Sequence, residues 1–117
     1  MVIKAIPADV ALSELPEDAT VWVVAGSETE VVLVPNPPDR QGVLMLFLKK
    51  ADAEHLALLM RQVAPAFKDK ELKVFEVRFR DIIERAIDEN QPVALISPNE
   101  ALEYFKTFDE WLADYYK

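Results

Sequence analysis

Four short runs of apolar and β-branched residues limit what this chain can fold into more than any other feature of its sequence. They occupy residues 20–25, 30–34, 43–48 and 93–96. The first three are almost continuously apolar, which is typical of strands that are covered on both faces. A fifth run, residues 72–77, contains Lys73 and Glu76, and we expect it to be more exposed and nearer a sheet edge.

The segments between these runs predict helices. In residues 50–64 and just beyond, apolar residues recur at spacings of three and four, which predicts a helix buried along one face. This stripe consists of Ala53, Leu56, Met60, Val63 and Phe67. A second helix is predicted at residues 80–89, with Asn90 as a left-handed cap. Ser97 and Glu100 form a capping box for a third, and Thr107 and Glu110 repeat it before a last helix at residues 108–116.

The order of these segments predicts an α/β fold with a mixed β-sheet. Residues 2–6 read as a short strand, and Pro7 opens a short helical turn. The loop at residues 26–29 suits a β-hairpin between the first two runs, and the rest of the chain reads β-α-β-α-β-α. That second half favours parallel strands with right-handed crossovers. Because the chain has 117 residues, we expect residues 1–117 to form a single domain.

Several classes of chemistry find no support in the composition. The chain has no cysteine, two glycines and one histidine, His55. We therefore expect no glycine-rich loop that binds phosphate and no catalysis by a cysteine thiolate. We also expect no catalytic serine activated by a histidine of the usual kind. A metal site needs convergent ligands, and a lone helical histidine does not supply them. We expect no catalytic residue, no cofactor and no metal.

The net charge of −8 disfavours nucleic acids and anionic membranes as partners, because both require a positive protein surface. The longest apolar run, residues 43–48, is far shorter than a membrane span. Pro7 and then acidic residues follow the first six residues, so this segment lacks the long apolar stretch of a signal peptide. We therefore expect a cytoplasmic protein.

Carboxylates are plentiful, and a pair of them can perform acid–base chemistry. Asp81, Glu84 and Asp88 share one helical face, with Arg80 and Arg85 interspersed. The favoured interpretation is a solvated charged face on an amphipathic helix. An enzyme that uses carboxylates alone stays an open alternative.

The last fourteen residues contain an unusual concentration of aromatic rings among acids. They include Tyr104, Phe105, Phe108, Trp111, Tyr115 and Tyr116. We expect Phe105, Phe108, Trp111 and Leu112 to anchor the tail helices in the core. One helix face cannot cover every ring, so Tyr104, Tyr115 and Tyr116 are the candidate protein-interaction residues, because partly exposed aromatic residues ringed by charge are typical of binding surfaces.

Residues 43–102 resemble two known families at a few degenerate positions. An apolar strand ends in the sequence Phe-Leu-Lys-Lys at 47–50, a later strand leads into Phe79 and Arg80, and the last strand closes on Ser97-Pro98-Asn99. In these features the chain resembles the N-terminal domain of the enhanced serine sensitivity (SseB) family and, less closely, the Tic22-like family. The resemblance implies a mixed α/β fold and an interaction role without an established active site.

These observations favour a non-catalytic protein–protein interaction or accessory role. The partner is expected to be another protein or a second copy of the chain in a homodimer. An alternative is a small acidic inhibitor, of the kind immunity proteins represent, that occupies a basic site on its partner. The carboxylate-only enzyme is the second alternative.

Overall fold

The computed structural model describes residues 3–27, 30–36, 41–67 and 70–116, and in them one mixed sheet carries helices on both faces. The strands are β1 (Thr20–Ser27), β2 (Glu30–Val31), β3 (Leu33–Asn36), β4 (Gln41–Phe47), β5 (Lys73–Arg78) and β6 (Val93–Ile96). The helices are α1 (Ala8–Ala11), α2 (Lys50–Val63), α3 (Phe79–Asp88), α4 (Pro98–Phe105) and α5 (Phe108–Tyr115), with a 3₁₀ turn at Pro65–Phe67. The predicted α/β class with a mixed sheet is confirmed.

Strand β1 lies between two strands of the second half of the chain. One edge of β1 pairs antiparallel with the whole of β5, and the other edge pairs with β2 and, at Trp22, with β4. Strand β4 in turn pairs in parallel with β6. Strands β4, β5 and β6 therefore run in one direction, as expected, but β1 separates β5 from β4. The sequence does not predict that β1 lies between β5 and β4, because local periodicity does not show which distant strands pair.

The second apolar run is divided into two strands that have different partners. Strand β2 pairs with β1 and completes the predicted hairpin, whereas β3 pairs antiparallel with β4. The break falls at Val32, whose side chain is buried. The sequence predicts loops at residues 26–29 and 36–42, but Gly26 lies in β1, Asn36 in β3 and Gly42 in β4. Residues 28–29 and 37–40 of those loops lie outside the described residues.

Two hydrophobic cores cover the two faces of the sheet. On the first face α2, α4 and α5 pack against the sheet, with Phe47, Leu56, Met60, Phe108 and Leu112 among the buried side chains. On the second face α1 and α3 pack against it, with Leu46, Phe79 and Ile83 buried. Helices on both faces explain why the central strands are almost continuously apolar.

Helices α2 and α3 confirm most of the periodicity argument. Leu56 and Met60 are fully buried. Val63, the last residue of α2, packs against the first core but is only half-buried, so the prediction that it is buried holds in part. Asn90 has a φ of 53°. Its N–H bonds to the carbonyl of Ile87, and the N–H of Gln91 bonds to that of Ala86, which is the hydrogen-bond pattern of a left-handed helix cap.

The N-terminal predictions hold only in part. In place of the predicted strand, Ile6 makes a single bridge with Val93, which lies at the start of β6. The helical turn after Pro7 is the short helix α1. Among the described residues, no helix has both the length and the apolar character needed to cross a bilayer.

Candidate functional site

Two helices hold the aromatic tail in place, and their starts differ. At α4 the predicted capping box is present: Ser97 Oγ accepts from the Glu100 N–H at 3.3 Å, and Glu100 Oε1 accepts from the Ser97 N–H at 3.2 Å. At α5 the predicted box is wrong, because the Thr107 side chain makes no capping hydrogen bond. The backbone of Thr107 has ψ near −3° instead of the extended conformation that such a cap requires.

The core of the tail is smaller than the sequence predicts. Phe108 and Leu112 are completely buried. Trp111 and Phe105, the other two expected anchors, are half-buried. Trp111 stacks on Phe108 with ring centroids 5.3 Å apart, and the ring keeps part of its surface in solvent. Phe108 and Leu112 therefore fix α5, and Trp111 covers them.

Tyr104 is half-buried and takes part in two contacts. Its ring stacks on Phe108 with centroids 6.1 Å apart. Its hydroxyl accepts a hydrogen bond of 3.0 Å from the backbone N–H of Lys4. The side chain thus ties α4 to the N-terminal segment, a structural contact that sequence reasoning did not anticipate, because the two residues are far apart in the chain.

Tyr115 and Tyr116 form a pair at the end of α5. Their rings meet edge to face with centroids 4.7 Å apart, and both side chains are half-buried. Tyr116 packs against the first core. Burial raises the pKa of its hydroxyl, and the neighbouring Tyr115 raises that pKa further. The core therefore supports the ring of Tyr116, and both rings keep an accessible portion.

Three exposed carboxylates lie on the same helix as this pair. Asp109, Glu110 and Asp114 of α5 are exposed. We call the surface formed by Tyr104, Tyr115, Tyr116 and these three acids the tail surface. Such a surface offers aromatic contact area together with negative charge, which suits recognition of a protein more than bond-making chemistry.

Among the residues that the structure describes, the carboxylates of α3 do not form a desolvated pair. Asp81, Glu84 and Asp88 are exposed on α3, and Glu84 accepts a hydrogen bond of 3.2 Å from Arg80. A cavity of about 410 Å³ between β2, β3 and α3 has Glu30 and Glu89 among its lining residues. Both of these glutamates are exposed, so the cavity does not hold two desolvated carboxylates. Within the described ranges, no three side chains of metal-ligating type lie together.

A second surface feature, which the sequence did not single out, lies between α2 and β5. A groove of about 430 Å³ is lined by residues of both elements, and we call it the α2–β5 groove. Its lining includes Lys50, Glu54, Leu58 and Arg61 from α2, and Leu72, Lys73 and Val74 from the other side. The signal in the sequence is the spacing of residues 50, 54, 58 and 61, which places them on one helical face, away from the buried stripe.

No family model matches this chain, and no curated protein matches it. Among solved structures the chain is similar to Tic22 of Anabaena, a protein of protein transport. The identity is 14% and the TM-score is 0.50. The match covers 76% of this chain and 46% of the Tic22 chain, so this chain spans about half the length of that structure. At this identity the likeness shows the fold alone. It supports the Tic22-like resemblance at that level, and the resemblance to the SseB family stays a prediction.

Proposed function

We propose that this chain is a non-catalytic protein-binding domain with an accessory role, and that the tail surface is where it binds. The observation that supports this most directly is the Tyr115–Tyr116 pair, half-buried on a helix that Phe108 and Leu112 anchor. Tyrosine is enriched in binding hot spots because a rigid ring contributes much contact area at a small entropic cost. Rings that are already held in place lose little further freedom on binding.

The charge around these rings indicates the kind of partner. The acids of α5 favour a partner that presents basic residues, since opposite charges speed encounter and select the orientation. A second copy of the chain is one such partner, because residues 61–85 contain seven bases. The fold of Tic22, a protein associated with protein transport, supports an accessory role in handling other proteins.

The acidic inhibitor is the second candidate function, and the net charge of −8 favours it. An inhibitor that occupies a basic site relies on electrostatic attraction, so its affinity falls steeply as salt is added. Binding through the tyrosine rings depends more on buried aromatic area and less on salt. The salt dependence of the affinity therefore distinguishes the two functions.

The test is affinity capture from a cytoplasmic extract of the native host, followed by mass spectrometry. A variant with Tyr115→Ser and Tyr116→Ser is compared with the unchanged chain. We expect it to stay folded and to lose the captured partner. Tyr104→Phe is tested separately, because the Tyr104 hydroxyl also supports the Lys4 backbone. The matched control is Val10→Ser, which replaces an exposed apolar residue of α1 on the opposite face. Capture that the double variant leaves unchanged refutes the proposed function.

A further inference from the structure

We propose that the α2–β5 groove binds an extended acidic segment of a partner protein, which adds to the sheet as a further strand along β5. The groove is lined by α2 and β5, and none of its lining residues belongs to the tail surface. The inference therefore goes beyond the proposed role of the tyrosines and can be tested separately from it.

Strand β5 leaves one edge unpaired among the described residues. Within the described parts of the chain, β5 pairs with β1 alone. Its other edge therefore presents backbone N–H and C=O groups to which an extended peptide can bond. In β-strand addition the main chain of the peptide supplies affinity, and pockets for alternate side chains supply specificity. Helix α2, beside this edge, forms the wall of such a pocket.

The charged residues of the groove favour an acidic occupant. Lys50, Arg61 and Lys73 are exposed, and none of them forms an ion pair with any residue that the structure describes. Of the described lining residues, Glu54 alone carries a carboxylate. A cationic groove on a chain with a net charge of −8 is a local reversal of sign, and it favours an occupant that carries acids. Lys50 also lies over the ring of Trp22, 5.4 Å from its centroid, which limits where its charge can move.

Part of the groove's lining is apolar. Leu58 is 56% exposed although it lies in the middle of α2. Across the groove Leu72 is buried and Val74 half-buried. An apolar side chain of the added strand can rest against these three residues, with acidic side chains before and after it. The occupant is therefore an extended segment in which apolar residues alternate with acids.

A second copy of β5 does not fit this edge well. In an antiparallel pair of identical strands, the register that uses all six residues of β5 sets Lys73 opposite Arg78. Like charges directly opposite each other destabilise a strand pair. A nucleic acid is also disfavoured, because Glu54 lies between Lys50 and Leu58 in the lining and the net charge repels phosphates.

The test uses the full chain and a short fluorescent peptide that alternates valine and glutamate. We expect saturable binding by fluorescence anisotropy, with amide shifts in nuclear magnetic resonance spectra concentrated in α2 and β5. Two further peptides serve as probes of mechanism. One alternates valine and lysine, and the other keeps the acids but contains prolines, which cannot donate backbone hydrogen bonds. We expect neither to bind.

The protein variants separate the groove from the rest of the surface. Lys50→Glu combined with Arg61→Glu is expected to weaken binding of the acidic peptide by roughly tenfold or more. Lys106→Glu makes the same kind of change at an exposed residue directly after α4, and is expected to leave binding unchanged. Replacing Tyr115 and Tyr116 by serine is also expected to leave it unchanged, so failure of the proposed function and failure of this inference remain distinguishable.

Four results would overturn the inference. The first is no saturable binding of the acidic peptide, and the second is equal binding of the lysine or proline peptide. The third is a set of amide shifts confined to the tail. The fourth is self-association in sedimentation that the double charge reversal abolishes, since the groove would then be an interface between copies of this chain.

Discussion

The imidazole of His55 lies stacked on the phenyl ring of Phe105, with centroids 4.1 Å apart and ring planes inclined by 24°. This contact joins α2 to α4. We expect a double-mutant cycle with His55→Ala and Phe105→Leu to give a coupling free energy of about 0.5–1.5 kcal/mol, because aromatic pairs contribute about that much beyond their buried area. Denaturant melts of the four proteins supply the measurement. Strictly additive effects would show that the contact does not contribute to stability.

Two leucines of α2 provide a matched comparison of buried and exposed positions. Leu56 is 1% exposed and Leu58 is 56% exposed. We expect Leu56→Ala to lower the free energy of unfolding by about 2–5 kcal/mol, because it leaves a cavity in the core. Leu58→Ala should change the same quantity by less than about 0.5 kcal/mol. Equal losses in denaturant melts would contradict the orientation of α2.

The two rings at the centre of the tail differ in the same way. Phe108 is fully buried and Trp111 is half-buried. We expect Phe108→Ala to cost about 3–5 kcal/mol of unfolding free energy. Trp111→Ala should cost less, although tryptophan is the larger residue, since part of its ring is already in solvent. A greater loss of unfolding free energy for Trp111→Ala than for Phe108→Ala in urea melts would mean that Trp111 anchors α5.

The helix cap at Asn90 predicts opposite effects for two small substitutions. At a φ of 53°, alanine suffers a steric penalty that glycine escapes. Asn90→Ala is expected to destabilise the fold by about 1 kcal/mol, whereas Asn90→Gly is expected to be neutral or slightly stabilising. Thermal melts of both variants check the order, and a more stable alanine variant would rule out the left-handed cap.

We expect the raised pKa of Tyr116 to make the fold less stable at alkaline pH. Burial raises the pKa of its hydroxyl above the usual 10.0, and Tyr115 adds to this effect. Above pH 10 the unfolded chain has released a proton that the folded chain still holds, so stability falls as the pH rises through the folded-state pKa. The contribution is fully present below pH 10. We expect Tyr116→Phe to make the decline shallower in denaturant melts from about pH 8 to about pH 11. An unchanged decline would show that other groups cause it.

Local patterns were enough to locate most of the helices and strands. The three- and four-residue spacing of apolar side chains predicted α2, and β6 lies where its apolar run was found. The capping box at Ser97 was also predicted, because residues three positions apart satisfy each other's hydrogen bonds within one turn. The candidate surface in the tail could also be predicted, because the concentration of aromatic residues is a property of one short segment.

Contacts between distant residues determined the rest. The place of β1 between β5 and β4, and the change of partner at Val32, depend on pairing between strands that are far apart in sequence. The α2–β5 groove needs both the open edge of β5 and the outward face of α2, and no short segment contains both. Val63 and Trp111 are only half-buried because burial depends on which element covers a side chain. Periodicity shows which face of a helix is apolar, but the packed sheet alone sets how far along that face the core extends.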